Sequence, residues 1–130
     1  MPKKGARQTV AQLSVASGVM HQLDGQYGVG IAHMVEHLLF EKPEGDIAQR
    51  FAEIGGDINA STGLESTEYV LTCAKEVERH IKLLFELVFD GRWTEYSLEG
   101  EKAIIASEIS LYQDDPDWVG YFGSIHSAYG

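Results

Sequence analysis

A chain of 130 residues, 44% of them hydrophobic, has the material for one domain with a core of ordinary size, and the whole span 1–130 is expected to form it. Twenty acidic side chains against ten basic ones leave a formal charge of −10, which argues against a groove for nucleic acid. No apolar run reaches membrane length, no hydrophobic segment follows Met1-Pro2-Lys3-Lys4-Gly5 to make a signal peptide, and Cys73 has no partner for an internal disulfide. A soluble, intracellular chain without membrane contact is expected.

From the amino terminus, Lys3 to Arg7 is a basic lead-in. Gln8 to Ser17 then alternates, with Thr9, Ala11, Leu13 and Val15 on one side and Gln12 and Ser14 on the other, the pattern of a half-buried strand ending at Gly18. Val19 to Gly30 reads as a loop punctuated by Gly25, Gly28 and Gly30, whose spacing matches no phosphate-binding fingerprint.

The stretch that follows, Ile31-Ala32-His33-Met34-Val35-Glu36-His37, carries the chemistry. On a helix from about Gly30 to Phe40, His33 and His37 stand four residues apart and present both imidazoles on one face. Two such imidazoles are half of a tetrahedral zinc site, and Glu36 beside them can take a proton from water activated by the metal. The order His-x-x-Glu-His is the inverse of the commoner zinc-protease string. The helix is apolar nearly all round, so the three polar side chains are headed for burial and need partners, which a metal supplies.

Pro43 and Gly45 break the chain, and Asp46 then caps a short helix through Ile54, with Gln49 at the reciprocal capping position. Gly55-Gly56 stops it, and Asp57 to Thr62 and Ser66 to Ala74 read as strands about a turn at Gly63. Lys75 to Asp90 is predicted as an amphipathic helix with a stripe of Val77, Ile81, Leu84 and Val88, widened by Phe85 and closed by Gly91, and His80 is placed in solvent beside that stripe. Thr94 caps a long helix to Gln113, and Asp115-Pro116 starts another whose Trp118, Tyr121, Phe122, Ile125 and Tyr129 are expected to face the core, with His126 structural. The fold predicted is α+β: a mainly antiparallel sheet covered by helices on one face, the later helices packed behind.

A catalytic zinc takes three protein ligands and a water, so His33 and His37 need a third partner. On the Thr94 helix Glu108 lies within an apolar arc of Ile104, Ile105, Ile109, Leu111 and Tyr112. Glu101 points nearly the same way two turns earlier. Such a pair suggests one ligand and one supporting carboxylate. A purely structural metal site would need a fourth protein ligand, for which His21 on the preceding loop is the nearest candidate.

Five ordered motifs carry a family resemblance: Gly30 to Phe40 around the His-x-x-Glu-His string, Gly55 to Thr62, Thr67-Glu68-Tyr69, Glu101-Lys102 with Glu108-Ile109, and Asp114 to Trp118. Together they resemble the catalytic half-domain of the pitrilysin/insulinase zinc metallopeptidases, the inverzincins, a family that includes the mitochondrial processing peptidases. Phe40-Glu41-Lys42 and Asp115-Pro116-Asp117-Trp118 are similar to a bacterial cytoplasmic subgroup. The resemblance implies a half-domain of the LuxS/metallohydrolase-like fold and Zn2+ held by His33, His37 and Glu108. It also implies Glu36 as general base, Glu101 at the second acidic position, and a strand at Asn59 and Ala60 that receives extended peptide along its edge. The span from His37 to Glu108 is slightly shorter than in the family, the difference falling just after the metal helix. Members also have a longer catalytic half, with a further first strand, and a second similar half that closes over substrate, so this chain is expected to be part of an N-terminal catalytic half. The activity implied is endopeptidase hydrolysis of peptides or unstructured polypeptides. The alternative is an inactive subunit that grips peptide without cleaving it.

Overall fold

The computed structural model describes residues 7–22 and 30–129; within the final two helices the side chains of residues 112, 113, 118, 121, 122, 125, 126, 128 and 129 lie outside the description, as does that of residue 22. The expectations for Trp118, Tyr121, Phe122, Ile125, His126 and Tyr129 therefore fall outside the described side chains.

Strand β1 (Thr9–Val15) leads through a 3-10 turn (Val19–Gln22) towards helix α1 (Ile31–Phe40). A two-residue ribbon, β2 (Glu41–Lys42) with β3 (Gly45–Asp46), precedes helix α2 (Ile47–Glu53). Then come β4 (Gly56–Thr62), β5 (Thr67–Cys73) and helices α3 (Val77–Phe89), α4 (Glu95–Asp114) and α5 (Pro116–Tyr129). Three predicted amino-terminal caps act where they stand: Asp46 accepts from the Ala48 N–H at 2.8 Å, Thr94 Oγ1 from Ser97 N–H at 3.0 Å, and Asp115 from Asp117 N–H at 2.9 Å. Helix α3, by contrast, has its carboxyl-terminal cap at Asp90, one residue before the predicted Gly91. Gly100 does not interrupt α4. Among the described residues no helix is long and apolar enough to cross a membrane.

The main sheet has the order β1-β5-β4 and is antiparallel throughout. Its register aligns Leu13, Tyr69 and Ala60, then Ala11, Leu71 and Ile58, so the alternation puts most apolar side chains on one face, with Val10 and Val70 on the other. Those of β5, the central strand, are buried, and α1, α2 and α3 close over them with Leu39, Ile47, Phe51, Leu83, Leu84 and Leu87. The opposite face carries a polar network in which Glu68 accepts from Gln12, Ser14 and Ser66, and these bonds hold its carboxyl below the usual carboxylate range. The fold is thus α+β, an antiparallel sheet covered by helices on one face.

Helix α3 corrects the sequence reading in two respects. Its buried face is His80, Leu83, Leu84 and Leu87, rotated from the stripe predicted through Val77 and Ile81, and Val77 and Phe85 are exposed. His80 is wholly buried, not solvated. Treating the imidazole as polar hid a regular i, i+3, i+4, i+7 pattern that begins with it. Its ring fits because the facing residue, Gly56, has no side chain.

Lys42 is also buried: its ammonium donates to the carbonyls of Leu87 (3.2 Å) and Asp90, at the carboxyl end of α3. Burial lowers its pKa, which the nearby Asp90 carboxylate partly offsets. The ribbon β2–β3, unforeseen in the sequence, is what turns this side chain inward.

Candidate metal centre

Helix α1 begins at Gly30, whose φ of 87° is left-handed and open to glycine without strain. A Cβ there would sit 3.1 Å from Cδ1 of Ile109 and 3.6 Å from Cγ2 of Ile105, so the same glycine lets α4 approach α1 closely. Ile105 is buried at that contact. The two helices run in opposite directions, pairing His33 with Glu108 and His37 with Glu101.

The imidazoles meet edge to face, with ring centroids 4.7 Å apart and planes at 88°. Their Nε2 atoms are 3.1 Å apart, and Glu108 Oε2 lies 3.6 Å from Nε2 of His33. One ligand atom from each of His33, His37 and Glu108 falls within 4.8 Å of the others, and among the described residues this is the grouping that could hold a metal. A tetrahedral ion with ligand bonds near 2 Å sets its donors roughly 3.3 Å apart. Two ring nitrogens and a carboxylate oxygen at these separations suit zinc in type and in spacing. Two carboxylates, those of Glu101 and Glu108, stand against the imidazoles, and a divalent cation would offset their charge.

His37 Nδ1 is 2.8 Å from Glu101 Oε2. The carboxylate only accepts, so the ring proton resides on Nδ1 and leaves Nε2 as the lone-pair donor aimed into the cluster. Glu36 points off the same helix but is 8% exposed, and its Oε2 accepts from Thr62 Oγ1 at 2.6 Å. Tyr69 lies beneath, its phenol pushed up to about 12 by burial and, secondarily, by the charge of Glu36.

Asn59 and Ala60 sit on β4, an edge strand in this sheet, with Asn59 pointing to solvent. The Asn59 side-chain oxygen accepts from the Ala60 N–H at 3.0 Å, so one donor of the edge is occupied by a neighbouring side chain. His21 stays apart from the metal grouping: it lies on the 3-10 turn with Nδ1 accepting from Gly18 N–H at 3.3 Å, beside an open depression lined by Ser14, Met20 and Glu65. Thr62 is the site residue that the sequence reading missed. The available signal was a pair of threonines, Thr62 and Thr67, at helix-facing positions of two otherwise apolar strand faces.

This sheet, the antiparallel helix pair and the inverted histidine string define a metallopeptidase-type domain, and a family model, Insulinase (Peptidase family M16), matches residues 2–128. The chain belongs to that family, the pitrilysin/insulinase peptidases. It is 39% identical over 137 residues to the uncharacterized zinc protease YmfH of Bacillus subtilis (strain 168), covering 99% of this chain and 32% of that protein. Over 112 residues it is 33% identical to the uncharacterized zinc protease ML0855 of Mycobacterium leprae (strain TN), covering 82% of this chain and 25% of that protein. A crystal structure of an M16-like peptidase from Alicyclobacillus acidocaldarius matches with a TM-score of 0.82 at 35% identity, over 93% of this chain and 30% of that one. The chain thus spans a third or less of the length of these relatives.

Proposed function

We propose that this chain carries the zinc site of a metalloendopeptidase that hydrolyses peptides or unstructured polypeptides. The observation that carries the proposal is the convergence of His33, His37 and Glu108 with Glu36 one residue from a ligand on the same helix. When bound, zinc supplies Lewis acidity to water and to the scissile carbonyl. His33 and His37 hold it through Nε2 and Glu108 through a carboxylate oxygen. Glu36 accepts the proton of the attacking water and returns it to the leaving amine. Glu101 keeps the His37 ring in its tautomer and direction.

Substrate lies along β4 as an added strand, held by backbone hydrogen bonds with little demand on sequence. A peptide in that position takes the Ala60 N–H from the Asn59 side chain. A second, similar half or subunit closes the chamber and excludes water from the reaction. The bacterial relatives and the lone buried thiol of Cys73 support a bacterial cytoplasmic setting.

The test combines metal analysis with cleavage of a quenched fluorescent peptide. Glu36→Gln is expected to retain zinc and lose turnover. His37→Ala and Glu108→Ala are expected to lose the metal, and full zinc content in either removes that residue from the ligand set. With the closing half present, zinc bound at one equivalent and no chelator-sensitive cleavage instead favours a subunit that grips peptide without cutting it.

A further inference from the structure

The carboxylate of Glu36 is held from outside its own helix. Thr62, whose hydroxyl makes the 2.6 Å bond to Glu36 Oε2, is the last residue of β4 and pairs across the ladder with Thr67, the first of β5. Thr67 Oγ1 is 2.8 Å from the Ser17 carbonyl, to which it donates, and 3.3 Å from Thr62 Oγ1. A hydroxyl has one proton to give. That of Thr67 goes to Ser17, and that of Thr62 goes to the shorter contact with the carboxylate, where the bond is charge-assisted. Neither proton is then left to join the two hydroxyls, which meet at 3.3 Å as a packing contact. Thr67 is 4% and Glu36 8% exposed, so the contact lies at the edge of the buried core.

We infer that Thr62 is a positioning residue for Glu36. Its hydroxyl donates to one carboxylate oxygen and so fixes that oxygen and with it the direction of the other. A glutamate side chain has several free torsions, and proton transfer needs its oxygen placed within a fraction of an ångström. Nothing on α1 itself supplies that restraint in the bonds described, whereas β4 does. The inference rests on the reading of Glu36 as general base.

The test compares T62V and T62S with the parent chain and with E36Q, using zinc content, melting temperature, kcat and KM on a quenched fluorescent peptide, and crystal structures of the variants. T62V is expected to keep zinc, fold and KM while kcat falls by roughly 10–100-fold, the range found when a supporting hydrogen bond is lost. T62S is expected to restore kcat. In the crystal structures the Glu36 carboxylate should stay bonded to the hydroxyl of T62S and turn from its parental direction in T62V. If T62V fails to fold, T62A supplies the same readouts. Parental kcat in T62V, or a Glu36 carboxylate that keeps its direction there, overturns the assignment. A parent protein that cleaves nothing with its closing half present, combined with a carboxylate that turns in T62V, counts against the peptidase reading and leaves the positioning role standing.

Discussion

At Gly56 a Cβ atom would lie 2.2 Å from Nε2 and 2.4 Å from Cδ2 of His80, distances that no side-chain contact tolerates. The imidazole cannot simply step aside. It is wholly buried, tilted against Phe51 at 6.3 Å between centroids, and tied through Nδ1 to the Glu76 carbonyl at 2.9 Å. Glu76 itself adopts φ 51° as it leads into α3, so the histidine secures a strained residue at the start of that helix. Gly56→Ala is therefore expected to destabilise the chain by about 1–3 kcal/mol, the range for forced overpacking. Thermal denaturation of G56A, H80A and the double variant checks this. The double variant should be more stable than the sum of the singles predicts, since the clash is removed along with the ring. Additive losses would show that the two residues do not share one space. The sequence displayed both residues without revealing their meeting: helix periodicity finds a stripe, but which residue of another element faces it depends on packing.

At the scale of elements, α3 ends where the ammonium of Lys42 reaches its last carbonyls. A cation at the carboxyl end of a helix meets the negative pole of the backbone dipoles, and here the ammonium also satisfies acceptors that the helix cannot. Lys42→Met removes both contributions while preserving most of the apolar stem. It should cost about 1–3 kcal/mol, the range for leaving buried hydrogen-bonding groups unpaired. Amide exchange in the last turn of α3 is expected to quicken relative to the middle of the helix. Unchanged exchange there, with an unchanged denaturation midpoint, would mean that water replaces the ammonium without loss. The strands, the caps at Asp46, Thr94 and Asp115 and the continuity of α4 through Gly100 were legible, because each depends on residues within a few positions. The ribbon of β2 and β3 was not, because two residues per strand are too few to show a period.

For the molecule as a whole, the metal-type grouping joins α1 to α4 and so links the early part of the chain to its carboxyl-terminal helices. A ligand that binds only the folded state stabilises it by mass action, about 2.7 kcal/mol when present at one hundred times its dissociation constant. Zinc is accordingly expected to raise the melting temperature of the chain and chelator to lower it again. E108A should melt at one temperature whether or not zinc is present. A zinc-dependent shift that survives in E108A would place the bound ion elsewhere. The helix pair explains why one glutamate approaches each histidine: α4 runs opposite to α1, so the later carboxylate meets the earlier ring.

What the sequence determined by itself is the part of the site that one helix can hold. Residues at i and i+4 must share a face whatever surrounds them, so His33 and His37 were paired before any coordinates, with Glu36 beside them. The strand alternation followed from a similarly local rule, and the ordered motifs carried the family resemblance. Tertiary structure alone decided which carboxylate approaches which ring, that His80 lies under Gly56, and that the hydroxyl of Thr62 reaches Glu36. Those contacts span between 24 and 75 positions of chain and arise from the antiparallel helix packing and the β4–β5 register. Sequence spacing carries no distance between elements until a shared core has fixed how they lie.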